Sequence, residues 1–171
     1  ETGAPMLKEN TATPMDGELL AVGTWYGDVW MVETQNNGRC GRRLQSHRNI
    51  PIKAIVVDEL RRLMVTTGDP KGTSAVKVWA VSREATTLTH TLHFNEPVSK
   101  MALLSGRLVL GHRFGTVRML DMGSGQPVPV SQAGDHSAAV ADIHVSEQLK
   151  HFLTCSTDGT LKVFDNEKRL E

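Results

Sequence analysis

The strongest constraint on this chain is an interval. Four predicted hairpins close at Glu33, Ala80, Asp121 and Asp165, and these positions are 47, 41 and 44 residues apart. Three histidines keep step with them, His47, His93 and His136, at spacings of 46 and 43. Self-similarity at a period of roughly 20–50 residues marks a chain built from repeated supersecondary units, each unable to bury its apolar face alone. An immunoglobulin-like or other sandwich, the alternative for a chain of many short strands, would not group them in sets of four.

The clearest unit runs from His136 to Asp165. It holds three β-type runs rich in branched or aromatic residues, 140–145, 152–156 and 160–164,. Thr157-Asp158-Gly159 joins the last two, with Asp bonding its own backbone and Gly free to take positive φ,. Upstream units repeat the plan less faithfully. Residues 18–24 and 29–33 form a hairpin around Trp25-Tyr26-Gly27-Asp28, followed by a charged outer strand at 40–45,. Residues 52–57, 62–67 and 75–80 form the second set, with a longer loop through Asp69, Pro70 and Lys71, and 86–94 alternates as a half-exposed outer strand should,. Residues 98–103, 107–112 and 116–121 form the third, turning at Arg113-Phe114-Gly115. The expected units are about 17–46, 47–92, 93–135 and 136–171. Residues 1–16 are polar, carry Pro5 and Pro14, and show neither strand nor helix period, so they read as a flexible tail, with Glu1-Thr2-Gly3 a cloning or processing remnant,.

A leading His, a Ser-Thr-Asp-Gly turn and a closing aromatic-Asp pair together resemble one unit of the WD-repeat β-propeller family, whose blades have a period of roughly 40–45 residues. The resemblance implies an all-β fold of about four four-stranded antiparallel blades, a partial or composite propeller, since such rings ordinarily hold seven or eight. It also implies a buried hydrogen-bond chain from the opening His through a second-strand Ser or Thr to the turn Asp and the third-strand Trp. Carried over, that chain falls on His136, Ser156 and Asp158, with Phe164 where Trp is expected; on His47, Thr67, Asp69 and Trp79; and on His93 in the third unit. Phe cannot donate the indole bond, so the last unit is one member short.

These assignments make the histidines structural rather than catalytic. Among the seven, His90, His112, His144 and His151 lie on or beside predicted strands. No metalloprotease helix, nucleophile elbow, phosphate-cradling glycine loop or paired-cysteine motif occurs, so neither enzyme activity, a cofactor, a metal nor a small-molecule substrate is expected. Lysine plus arginine and aspartate plus glutamate both number 19, which offers no field for nucleic acid or an anionic membrane,. Cys40 and Cys155 read as buried free thiols, pointing to a cytoplasmic protein, with the nucleus as the alternative,.

Function on such a platform is expected on the loop faces. The face carrying the second-to-third-strand turns would present Trp25, Tyr26, Pro70, Lys71, Arg113 and Phe114, among which Trp, Tyr and Arg are the types that dominate interface hot spots,. The expected role is a non-catalytic scaffold that binds a protein or peptide there. The alternative is a structural half-propeller that completes a ring with a second copy, another chain or another segment.

Overall fold

The computed structural model describes residues 9–15, 19–34, 40–69, 72–82, 84–128 and 135–165. These residues form fifteen strands in four antiparallel sheets, each a simple meander. The first sheet contains β1 (Glu9–Met15), β2 (Leu19–Thr24), β3 (Asp28–Glu33) and β4 (Cys40–Gln45). The second contains β5 (Ile52–Asp58), β6 (Leu63–Gly68), β7 (Ser74–Val81) and β8 (Thr86–Phe94). The third contains β9 (Val98–Leu104), β10 (Arg107–His112), β11 (Val117–Asp121) and the short β12 (Pro127–Val128). The fourth contains β13 (Val140–Ser146), β14 (His151–Ser156) and β15 (Leu161–Asp165). Residues 166–171, the stretch left for an outer strand of this sheet, lie outside the described residues.

Glu1 to Asp16 are not simply a tail. Residues 9–15 pair with β2 from Thr11↔Gly23 to Met15↔Leu19 and supply the first strand of the first sheet. Their sequence hides this because a first strand has one free edge. Pro14 can sit opposite Leu20 without interrupting a ladder on its far side,. Thr13 spends its hydroxyl on the Ile55 carbonyl of the next sheet, 2.9 Å away.

Each first strand carries the same irregularity where it meets its partner. The register slips between Glu9 and Thr11, Ile52 and Ala54, and Val140 and Asp142, while His112 and Gly111 pair with Val98 and Lys100, skipping Ser99. A bulge adds one unpaired residue and increases local twist. In the third sheet the Ser99 hydroxyl donates a bifurcated bond to the Gly111 carbonyl at 3.0 Å and the Val140 carbonyl at 2.7 Å, joining this bulge to the fourth sheet. At the opposite end of the strands, Ser105 and Gly106 turn β9 into β10 with φ of 50° and 77°, the two left-handed residues a tight hairpin needs,.

Burial follows strand parity. Ala21, Val29 and Met31 point toward the second sheet and meet Met64 and Trp79. Val65, Val76 and Val78, on the other face of that second sheet, meet Leu108, Leu110 and Leu120 of the third. Val109, Val117 and Met119 meet Val140, Phe152 and Phe164 of the fourth. The chain thus has three successive cores, each between neighbouring sheets.

Candidate functional site

The turns between second and third strands all lie at one end of the sheets, and hydrogen bonds tie them to the segments that lead into each following sheet. The His47 N–H donates to the Gly27 carbonyl at 2.7 Å, and the His136 N–H donates to the Gly115 carbonyl at 3.0 Å. Gly27 and Gly115 have φ of +83° and +97°, and a Cβ on either would lie 2.1 Å from the carbonyl oxygen of His47 or His136. Both conformation and proximity therefore require glycine. In the first turn the Thr24 hydroxyl accepts the N–H groups of Tyr26 at 3.3 Å and Asp28 at 3.2 Å, while the Tyr26 carbonyl accepts from Asn49 at 3.0 Å. In the third, the Arg113 N–H donates to the Pro97 carbonyl at 2.9 Å.

These fixed backbones hold their side chains outward. Trp25 is half exposed, and Tyr26 and Phe114 more so. Arg113 is exposed beside Phe114. Pro70 and Lys71 lie outside the described residues. Trp25-Tyr26 and Arg113-Phe114 occupy the same two positions ahead of their turn glycines, in the first and third sheets.

Beneath this surface are the buried polar clusters. In the second sheet, the Thr66 hydroxyl lies 2.9 Å from Ser46 Oγ and 3.0 Å from His47 Nε2, and accepts the Trp79 indole N–H at 3.1 Å. Burial, and then the charge of Lys77, push the His47 imidazole down to about 4, so the ring is neutral at physiological pH,. Thr67, the second-strand member expected from the sequence, is not part of this cluster; its buried hydroxyl has no partner. Side chains alternate across a strand, and the positions sharing a face with Trp79 and its partner Met64 are the even ones, so Thr66 and not Thr67 faces the indole,. Asp69 bonds to the Ser74 hydroxyl, which accepts the Val98 N–H at 2.7 Å, so it serves the junction with the third sheet instead.

The fourth sheet has a fuller chain by another route. His136 Nε2 meets the Thr154 hydroxyl at 2.7 Å and Nδ1 meets the Thr160 hydroxyl at 2.8 Å; Thr160 in turn donates to Asp158 Oδ1 at 2.6 Å. Asp158 Oδ2 accepts the Ser137 N–H at 2.8 Å. The Thr160 hydroxyl is the main reason the Asp158 carboxyl is held well below the ordinary carboxylate range. Ser156 does not touch His136: it accepts the Asp158 N–H at 3.1 Å and donates to the Ala138 carbonyl at 3.0 Å, shaping the turn. Phe164, in the Trp79 position, stacks on Phe152 with centroids 4.8 Å apart and planes 5° off parallel. An aromatic contact there replaces the missing indole bond.

His93 belongs to no such cluster. It is exposed on β8, opposite Ala75, because that outer strand continues to Phe94 and places the segment opening the third sheet after it. The segment opening the third sheet carries Glu96, and the buried imidazole of this sheet is His112, at the end of β10. Neither His112 ring nitrogen has a hydrogen-bond partner, and the Glu96 carboxylate lies 3.9 Å away. Burial pushes this imidazole below its ordinary value against the pull of Glu96. Thr66 and Thr154 were legible only by counting parity back from Trp79 and Phe164 through their hairpins; the Glu96–His112 pair carries no such signal.

An order of hydroxyl, His and Asp also occurs in acyl-transfer enzymes, but here the Thr154 hydroxyl is fully buried and both His136 nitrogens are engaged. A nucleophile needs access to substrate as well as a base. Among the described residues no group of three or more His, Cys, Asp or Glu side chains is placed to hold a metal ion, and no helix is long and apolar enough to cross a membrane.

No family model matches the chain. A stretch of 64 residues, 37% of the chain, is 38% identical to eukaryotic translation initiation factor 3 subunit I of Drosophila yakuba and of Drosophila melanogaster, both proteins of the WD-repeat type. The match spans about a fifth of the length of these relatives, 20% and 19%. The beta-propeller domain of Myceliophteria thermophila Cps50 (Swd1) superposes with a TM-score of 0.75 at 11% identity, over 94% of this chain and 55% of that one. The chain is built of β-propeller blades. The computationally designed Ika4 protein matches the blade array with a TM-score of 0.75 at 16% identity, over 95% of this chain and 94% of that one. The designed Ika8 protein matches at 0.74 and 21%, over 91% of this chain and 45% of that one. At these identities the solved structures speak for the fold alone.

Proposed function

We propose that the chain is a non-catalytic protein-interaction scaffold that binds a protein or peptide partner on the face of its second-to-third-strand turns. The observation that carries this reading is the exposure of Trp25, Tyr26 and Phe114 on backbones already fixed by hydrogen bonds. An exposed aromatic on a rigid turn loses little conformational freedom on binding, and Trp, Tyr and Arg supply much of the energy of protein interfaces. The relatives are named as a subunit of a multisubunit translation factor, which supports an assembly role and a cytoplasmic setting.

The test is affinity capture from cells with the wild-type chain and a Trp25→Ala/Tyr26→Ala variant. A Leu60→Ser variant, altered in the β5–β6 turn at the opposite end of the sheets, serves as the control. Partners retained by the wild type and the control should be lost from the double variant, with affinity reduced about 30-fold or more for an anchor worth roughly 2 kcal/mol. Equal retention by all three chains, with unchanged melting curves, would remove the site.

A further inference from the structure

The first and last described sheets carry opposite halves of the kind of junction seen between neighbouring sheets. Within the chain, a junction is made where the outward face of one blade meets the inward face of the next. The central outward positions are occupied by Val29, Val76 and Val117, exposed by 0%, 0% and 5%, and by Met31, Val78 and Met119, each exposed by 1%. Their register equivalents in the fourth blade are Leu161, opposite Cys155, and Val163, opposite Leu153. These are exposed by 62% and 52%. The turn glycine tells the same story. Gly27 and Gly115 each lie under the carbonyl of the following segment, whereas no described atom lies within 4 Å of a Cβ built on Gly159, although its φ is +82°.

The complementary half is on the first blade. In blades two to four the inward positions are Met64 with Trp79, Leu108 with Leu120, and Phe152 with Phe164, all buried against the preceding blade. Their first-blade equivalents, Leu20 and Val32, are only half-buried. Beside them the first blade departs from the others in an apolar direction. Where Lys77, Arg118 and Lys162 stand, it carries Trp30, half-exposed with Arg43 lying 6.0 Å over its ring. Among the described residues, one end therefore offers aliphatic knobs without a cover, and the other offers an apolar cover without knobs.

We propose that a second copy of this chain docks head to tail, the Leu161/Val163 face of each copy against the Leu20/Trp30/Val32 face of the other. A head-to-tail contact extends into a filament unless its rotation closes. Docking of each copy on the other through both faces is the closed case, a ring of two copies related by twofold symmetry. This assembly does not depend on the turn-face reading, since Trp25 and Tyr26 lie in neither face.

Light scattering after size exclusion tests it on the 171-residue chain. The expected mass is about twice the 18.7 kDa of one chain. Leu161→Lys and Trp30→Lys should each yield monomers with unaltered circular dichroism, and mixing the two should restore dimer, because one junction in the mixed pair is unaltered. The Trp25→Ala/Tyr26→Ala chain should keep the doubled mass. A wild-type monomer at tens of micromolar overturns the proposal. So does a Trp30→Lys chain that stays dimeric, which would show a symmetric tail-to-tail contact instead. If Leu161→Lys fails to fold, Val163→Glu replaces it with the same expected outcome.

Discussion

Thr66 and Thr67 are adjacent, chemically identical and both fully buried, yet removing their hydroxyls should have opposite effects. Thr66→Val keeps the shape of the side chain and deletes the oxygen that receives Trp79 Nε1 at 3.1 Å and contacts His47 Nε2 and Ser46 Oγ at 3.0 and 2.9 Å. The indole N–H is then orphaned, and so is at least one of the other two groups. A buried polar group without a partner costs about 1–3 kcal/mol, so two orphans, offset by the small gain from one added methyl, give a loss of about 3 kcal/mol. Thr67→Val removes a hydroxyl that already lacks a partner, and the gain should be up to about 1 kcal/mol,. Urea unfolding followed by far-ultraviolet circular dichroism reads both changes. With a slope of about 2 kcal/mol per molar urea, the midpoint should fall by about 1.5 M for Thr66→Val and rise slightly for Thr67→Val, at unchanged slope. Equal losses at the two positions would refute the assignment of the cluster to the Trp79 side of β6.

Other perturbations follow from the same contacts. His47 titrates at about 4 when folded against its ordinary 6.5, so between those values the unfolded chain holds the extra proton and stability falls as the pH is lowered from 6.5 to 4,. The full contribution, about 3 kcal/mol, is present above pH 6.5, and the acid limb of the stability profile should flatten in a His47→Gln chain. In the monomeric Trp30→Lys chain, Gly115→Ala should be markedly more damaging than Gly159→Ala in thermal melts: both residues have left-handed φ, but only the first methyl would collide with a carbonyl, that of His136 at 2.1 Å,. Similar losses at the two glycines would mean that backbone strain, and not contact with the next segment, sets the requirement.

The period was legible because turn chemistry is local. Asp158-Gly159 and Arg113-Phe114-Gly115 mark their hairpins by composition, and the intervals between them need no tertiary information. What could not be read was anything decided by a neighbour in space. Glu9–Met15 looks like a tail because a first strand exposes an edge and draws Thr13 toward a carbonyl on another sheet. Thr67 looks as good as Thr66 until the pairing of Met64 with Trp79 fixes which face is which. His93 keeps the spacing of the opening histidines, but β8 runs on to Phe94 and carries it to the surface. Trp25, Tyr26 and Phe114 were singled out as aromatic residues in polar turns; their exposure required the hydrogen bonds that hold the turns away from the cores.

The three separate cores also determine how the chain comes apart. Among the described residues no side chain belongs to more than one of these cores, so stability is a sum of neighbour terms rather than one collective quantity,. The second and third sheets are clamped from both sides, and the first and fourth from one. Damage in the Phe152–Phe164 core loosens the last sheet and leaves the Met64–Trp79 core intact, so a single undocked copy frays inward like a stack of plates losing its end plates first.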